Sequence, residues 1–113
     1  MTLLSIPHTG LDAGKKRPAV LLARLPGRFD DWVVAMISTR LDHEVAGFDE
    51  IIKAEDPDFA QTGLKVPSLL RTGRLAVVNG EVMPGMIGTI SGERLGRVLA
   101  HLRDLFTLAN PPT

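Results

Sequence analysis

The chain has 113 residues, with 13 basic and 13 acidic side chains, no cysteine and one tryptophan. That length buries about two-thirds of the unfolded surface without a covalent staple, so residues 1–113 are read as a single domain. The absence of cysteine excludes a disulfide, a thiolate nucleophile and a cysteine zinc site, and no apolar run approaches the ~18 residues of a membrane span.

The charge is balanced but unevenly placed. Between Asp42 and Asp58 stand seven acidic residues and one lysine, which leaves twelve basic and six acidic residues elsewhere. Nine of the thirteen basic residues are arginine, whose planar fork suits bidentate contact with phosphate. The first residues lack the basic-then-apolar pattern of a secretory leader, so the expected location is cytoplasmic.

Thr2 to Ile6 reads as a short strand. Pro7, Gly10 and Gly14 punctuate a polar loop that carries His8, and Lys15, Lys16 and Arg17 close it. Pro18 to Arg24 is apolar almost throughout and reads as a central strand buried on both faces. Its proline sits at the start, where a missing N–H is tolerated. Pro26-Gly27 marks a turn, and Asp31 to Ser38 is a third strand rich in β-branched and aromatic residues. Short links between the three predict an antiparallel meander.

The acidic stretch has no clean period. Phe48, Ile51 and Ile52 at helical spacing predict a short helix over 48–54, within a surface excursion. Ser68 to Leu70 is expected as a short strand. Arg74–Val78 and Val82–Ile90 are expected to form a hairpin around Asn79-Gly80, a strong two-residue turn signal. Pro84 and Gly85 point the second of these strands to an edge, and Met83, Met86 and Ile87 to a dimer interface there. Ser91 is the expected N-cap of a final helix. Leu95, Val98, Leu99, Leu102, Leu105 and Phe106 form its apolar stripe, with Arg94, Arg97, His101 and Arg103 on the other face. Asn110-Pro111-Pro112 ends it. The architecture expected is mainly β with α: a small curled antiparallel sheet or barrel carrying a C-terminal helix.

The pattern Leu3-Leu4-Ser5-Ile6-Pro7-His8-Thr9 followed by Gly14-Lys15-Lys16-Arg17-Pro18-Ala19-Val20 resembles the opening of the MazF/PemK-like toxins. Val33 to Thr39 resembles the family's next strand, and Gly63–Ser68, Ile87–Ser91 and the last helix resemble its second half. The Arg-Pro strand is the sharpest motif. The resemblance implies an SH3-like barrel, a homodimer, and a metal-independent, sequence-selective endoribonuclease acting on single-stranded RNA. It also implies a cognate antitoxin, and no cofactor. The family commonly places threonine at the end of the third strand. Here Ser38 stands there with Thr39 next, and strand alternation sends the two to opposite faces, so Ser38 is taken as the partner of Arg17.

Cutting RNA without a metal requires a proton off the 2′-hydroxyl, stabilisation of the phosphorane charge and a proton onto the 5′-oxygen. Arg17 suits the second task, but its pKa above ~12 makes it a poor acid or base. His8 titrates near neutrality and is the candidate for proton transfer. Lys15, Lys16, Thr39, Arg40, Arg71 and Arg74 are the candidate RNA contacts, with no metal ligand among them. Without the resemblance, the favoured reading of Arg17 is a structural pairing with Asp12 or with an acid of the 42–58 stretch. A second reading keeps the barrel and makes the protein a non-enzymatic, CcdB-like binder of a protein target, and a third makes it an inactive paralogue. His43 and His101 lack ligand spacing and are expected at the surface. Trp32 is expected in the core or an interface. Arg24 lies seven residues from Arg17, too far at about 3.3 Å per residue to share its site.

Overall fold

Strand β2 (Lys16–Arg24) lies in the middle of the molecule, antiparallel to β1 (Thr2–Pro7) on one side and to β3 (Asp31–Ser38) on the other. The computed structural model describes residues 2–7, 16–82 and 85–108. The three-strand meander is as expected, and the β2–β3 register begins at Ala19↔Met36, one residue past Pro18. Ala19 and Val20 are both fully buried although they face opposite ways, so β2 is covered on both sides.

The sheet continues through β4 (Glu50–Ile52), β5 (Ser68–Asn79) and β6 (Met86–Thr89), in the order β4-β5-β3-β2-β1-β6. One face packs on the last helix, α2 (Gly92–Thr107), through Val20, Leu22, Ala35, Ile37, Ile52, Leu70, Ile90, Val98 and Leu102. On the opposite face Ala19 and Val34 are buried beneath Leu21, Trp32, Met36, Ala76 and Val78.

Three expectations change. Residues 50–52 form strand β4 rather than part of a helix. Ile51 and Ile52 are β-branched, and their ladder with Leu69 and Ser68 gives more than a short helix would. A four-residue helix, α1 (Phe59–Thr62), follows instead. Secondly, Asn79-Gly80 does not turn a hairpin. Neither residue adopts the positive φ that such a turn needs. Asn79 Nδ2 donates to Asp31 Oδ1 at 3.2 Å, and the Gly80 N–H donates to the Asp30 carbonyl at 2.7 Å. The pair thus anchors the end of β5 to β3. Ser68–Asn79 is one long strand, and β6 crosses to the far edge to pair with β1. Edge placement of this last strand is as expected.

The third change concerns α2. Ser91 caps it as expected, its Oγ accepting from the Arg94 N–H at 3.1 Å. Yet Arg94 is 5% exposed and lies inward, whereas Leu99, Leu105 and Phe106 of the anticipated stripe are exposed. The acidic segment explains the inversion. Arg94 Nε and Nη2 donate to the two oxygens of Asp58 at 2.9 Å each. Its Nη2 also reaches Asp56 at 3.0 Å and its Nη1 reaches Glu50 at 3.2 Å, while Arg97 binds the same Glu50 at 2.9 Å. The guanidinium holds the Asp58 carboxyl well below the usual carboxylate range. A buried charge is tolerated where every donor has a partner. The acidic excursion therefore docks the terminal helix onto β4. The end of the chain at Asn110-Pro111-Pro112 lies outside the described residues.

Candidate nucleic-acid interface

Arg17 stands at the start of β2, and Ser38 at the end of β3. Strand alternation puts Arg17 on the face of Ala19 and Leu21, and Ser38 on the face of Val34 and Met36. Both belong to the side of the sheet away from α2. Arg71 and Arg74 come from β5, and alternation alone would send residues three apart to opposite faces. The β3–β5 ladder resolves this: between Leu70↔Ile37 and Leu75↔Ala35 it inserts extra β5 residues opposite Met36. That bulge shifts the phase of the strand. Leu70 before it packs toward α2, while Ala76 and Val78 after it pack on the other face.

Asp49 secures the bulge. Its Oδ1 accepts from the Thr72 N–H at 3.0 Å and its Oδ2 from the Val45 N–H at 2.9 Å. The residue is 8% exposed. Sequence reasoning missed it, because one aspartate in a run of seven acids carries no local mark of burial, and its partner lies 23 residues away.

These elements enclose a cleft of about 520 Å3, lined by Arg17, Met36–Arg40, Arg71 and Arg74. Among the described residues, four guanidinium-bearing side chains and two hydroxyls line it, and no carboxylate does. Ser38 Oγ accepts from the Arg40 N–H at 3.0 Å, which fixes the hydroxyl and leaves its own proton to donate. Arg40 reaches outward to Asp42, Nε to Oδ1 at 3.0 Å and Nη2 to Oδ2 at 2.9 Å. That contact holds the Asp42 carboxyl down at about 2. Thr39 is exposed beside them. The arrangement can grip a dianionic or bridging phosphate from several sides.

The structure thus brings Arg17, Ser38, Thr39, Arg40, Arg71 and Arg74 into one cleft. Lys16 opens β2 opposite Pro7 in the register, while His8 and Lys15 lie outside the described residues. Arg24 is directed away, to Asp30 at 3.4 Å and the Phe29 carbonyl at 3.1 Å. Trp32 is half-buried, its Nε1 donating to Asp30 at 2.8 Å. His43 is exposed, but His101 is not a plain surface residue: its Nδ1 donates to the Phe48 carbonyl at 2.9 Å, and its ring stacks on Phe48. Among the described residues no group of three or more His, Cys, Asp or Glu side chains is arranged to hold a metal ion. No helix among them is long and apolar enough to cross a membrane.

A curled antiparallel sheet, one terminal helix and an arginine-lined cleft on the face away from that helix define a small half-barrel. The chain belongs to the family of PemK-like, MazF-like toxins of type II toxin–antitoxin systems, whose family model matches residues 2–106. None of the curated proteins compared with the sequence matches it. Among solved structures the fold is similar to that of Mycobacterium tuberculosis toxin MazF-mt6. The TM-score is 0.71 over 97% of this chain and 100% of that one, at 16% identity. That likeness is one of fold.

Proposed function

We propose that the protein is the toxin of a type II toxin–antitoxin pair and acts as a metal-independent endoribonuclease on single-stranded RNA. The observation that carries this reading is the cleft itself: four arginines and a fixed serine hydroxyl converge there. Family membership supplies the toxin class. Arg17 clamps the scissile phosphate and stabilises the charge that builds on it as the 2′-hydroxyl attacks. Ser38 donates its proton to a phosphate oxygen. His8 moves the proton between the 2′-hydroxyl and the leaving 5′-oxygen. Arg71, Arg74, Arg40 and Thr39, with Lys15 and Lys16, bind the flanking backbone. The chain works as one domain in the cytoplasm. It forms a homodimer through the β6 edge, where Met86 is 65% and Ile87 40% exposed, and the cognate antitoxin silences it.

Incubation of purified protein with a long RNA and with single-stranded DNA, both in excess chelator, tests the reading. The expected products are RNA fragments ending in a 2′,3′-cyclic phosphate, with the DNA left whole, because only RNA carries the attacking hydroxyl. Intact RNA would set the endoribonuclease aside and favour the non-enzymatic binder.

A further inference from the structure

Beside the cleft lies a second, smaller recess of about 180 Å3, lined by Val45, Phe48, Asp49, Arg71, Gly73 and Arg74. Arg71 and Arg74 line both spaces. A strand whose phosphate sits between these arginines and Arg17 would therefore have a neighbouring nucleotide at the mouth of the recess. The chemistry of the recess differs from that of the cleft. Val45 and Phe48 give it apolar walls, and Gly73 adds no side chain to fill it. Its only acid, Asp49, has both oxygens occupied by backbone N–H groups. Phe48 is held in place, with its carbonyl bound by His101 and its ring stacked on the imidazole at 6.2 Å between centroids. A Cβ on residue 73 would stand 3.2 Å from the Phe48 ring, so the glycine and the ring are already in close contact.

We infer that this recess is a subsite for one nucleobase of the bound RNA, adjacent to the phosphate held in the cleft. Resting on the endoribonuclease reading, the inference names part of what makes the cleavage selective. An apolar, aromatic-walled slot flanked by guanidinium planes is the chemistry on which unstacked bases settle. Its volume admits one planar ring system and not two. Val45 lines it and is 55% exposed, so a larger side chain there can fill it without disturbing the core.

The test uses an uncleavable 2′-O-methyl nonamer built on the most frequent cut site found in a long RNA, together with versions carrying one abasic nucleotide at each position in turn. Wild type is expected to lose roughly tenfold in affinity when one particular base is removed, the scale of a lost base stack. In Val45→Trp, whose indole fills the recess, removing that same base should cost nothing further. If each abasic position costs Val45→Trp as much as it costs wild type, the subsite is overturned while the endoribonuclease stands. If wild type leaves the long RNA uncut, both readings fall together. Val45 is exposed enough for the substitution to leave the core alone, and an unchanged melting profile verifies that.

Discussion

Arg40 of the cleft is paired with an acid on its own loop, Asp42, two residues on. Both side chains are more than half exposed, so the pair is screened by solvent and contributes little to folding. Its effect is on binding: Asp42 occupies the guanidinium edge that a phosphate would use. Asp42→Asn is therefore expected to tighten binding of a short single-stranded RNA by roughly two- to fivefold at low salt, the scale of an exposed ion pair. The difference should fade as salt rises. A second residue-scale prediction concerns Thr72, which is fully buried with an Oγ1 that has no hydrogen-bond partner among the described residues. Thr72→Val keeps the shape and removes the orphaned hydroxyl, so the urea midpoint should rise, by about 1 kcal/mol in stability. Residue identities of this kind divide sharply in legibility. Arg17, Pro18 and Ser91 announce themselves through their immediate neighbours. Asp49 and Arg94 do not, because each is buried by a segment far away in sequence.

The element that shapes the site is the bulged strand β5. Local pattern places strand character at both of its ends, Ser68–Leu70 and Arg74–Val78, but not across Arg71-Thr72-Gly73, where the alternation breaks. The break itself is what turns Arg71 and Arg74 into one cleft, and it depends on a hydrogen bond from Thr72 to Asp49 that no local rule foresees. Asp49→Asn replaces one accepting oxygen with a donor facing a donor. It is expected to cost about 1–3 kcal/mol in stability and to weaken RNA binding at temperatures where the variant is still fully folded. Asn79-Gly80 misleads for a related reason: the dipeptide permits a hairpin, and tertiary bonds to Asp30 and Asp31 use it as an anchor instead. A third element-scale feature is the crossing of α1 over β6. There the space a Cβ on Gly88 would occupy is already filled by the carbonyl oxygens of Gln61 and Thr62, and one on Gly63 would meet the Ile87 carbonyl. Gly88→Ala should lower the thermal midpoint through an overpacking cost of about 1–3 kcal/mol, which calorimetry would measure.

At the scale of the whole molecule the even charge balance resolves into two assignments. Part of the acidic segment neutralises Arg94 and Arg97 and ties α2 to β4. The arginines of the cleft lie on the sheet face away from that helix. Neither assignment is visible in the net charge, which is zero although the folded surface offers a cationic cleft. Because Arg94 depresses the Asp58 carboxyl, and the Lys53 backbone N–H and Arg94 lower that of Asp56, these groups contribute stability at pH values above the ordinary carboxylate range. The contribution is lost as pH falls through their folded-state pKa values, so stability should decline below about pH 4. Arg94→Met leaves Asp58 buried without its cationic partner, with the Ser91 N–H still donating to it. It is expected to cost about 3–5 kcal/mol at neutral pH, and to flatten or reverse the acid limb of the stability curve measured by urea denaturation.

The proposed activity puts RNA cleavage in the cleft on the sheet face away from α2, through Arg17. The most direct measurement is the single-turnover cleavage rate of a single-stranded RNA, in chelator, by wild type and by Arg17→Ala at matched fold stability. Loss of a group that stabilises transition-state charge predicts a fall of about a hundredfold or more. An Arg17→Ala protein that cleaves at the wild-type rate would contradict the account.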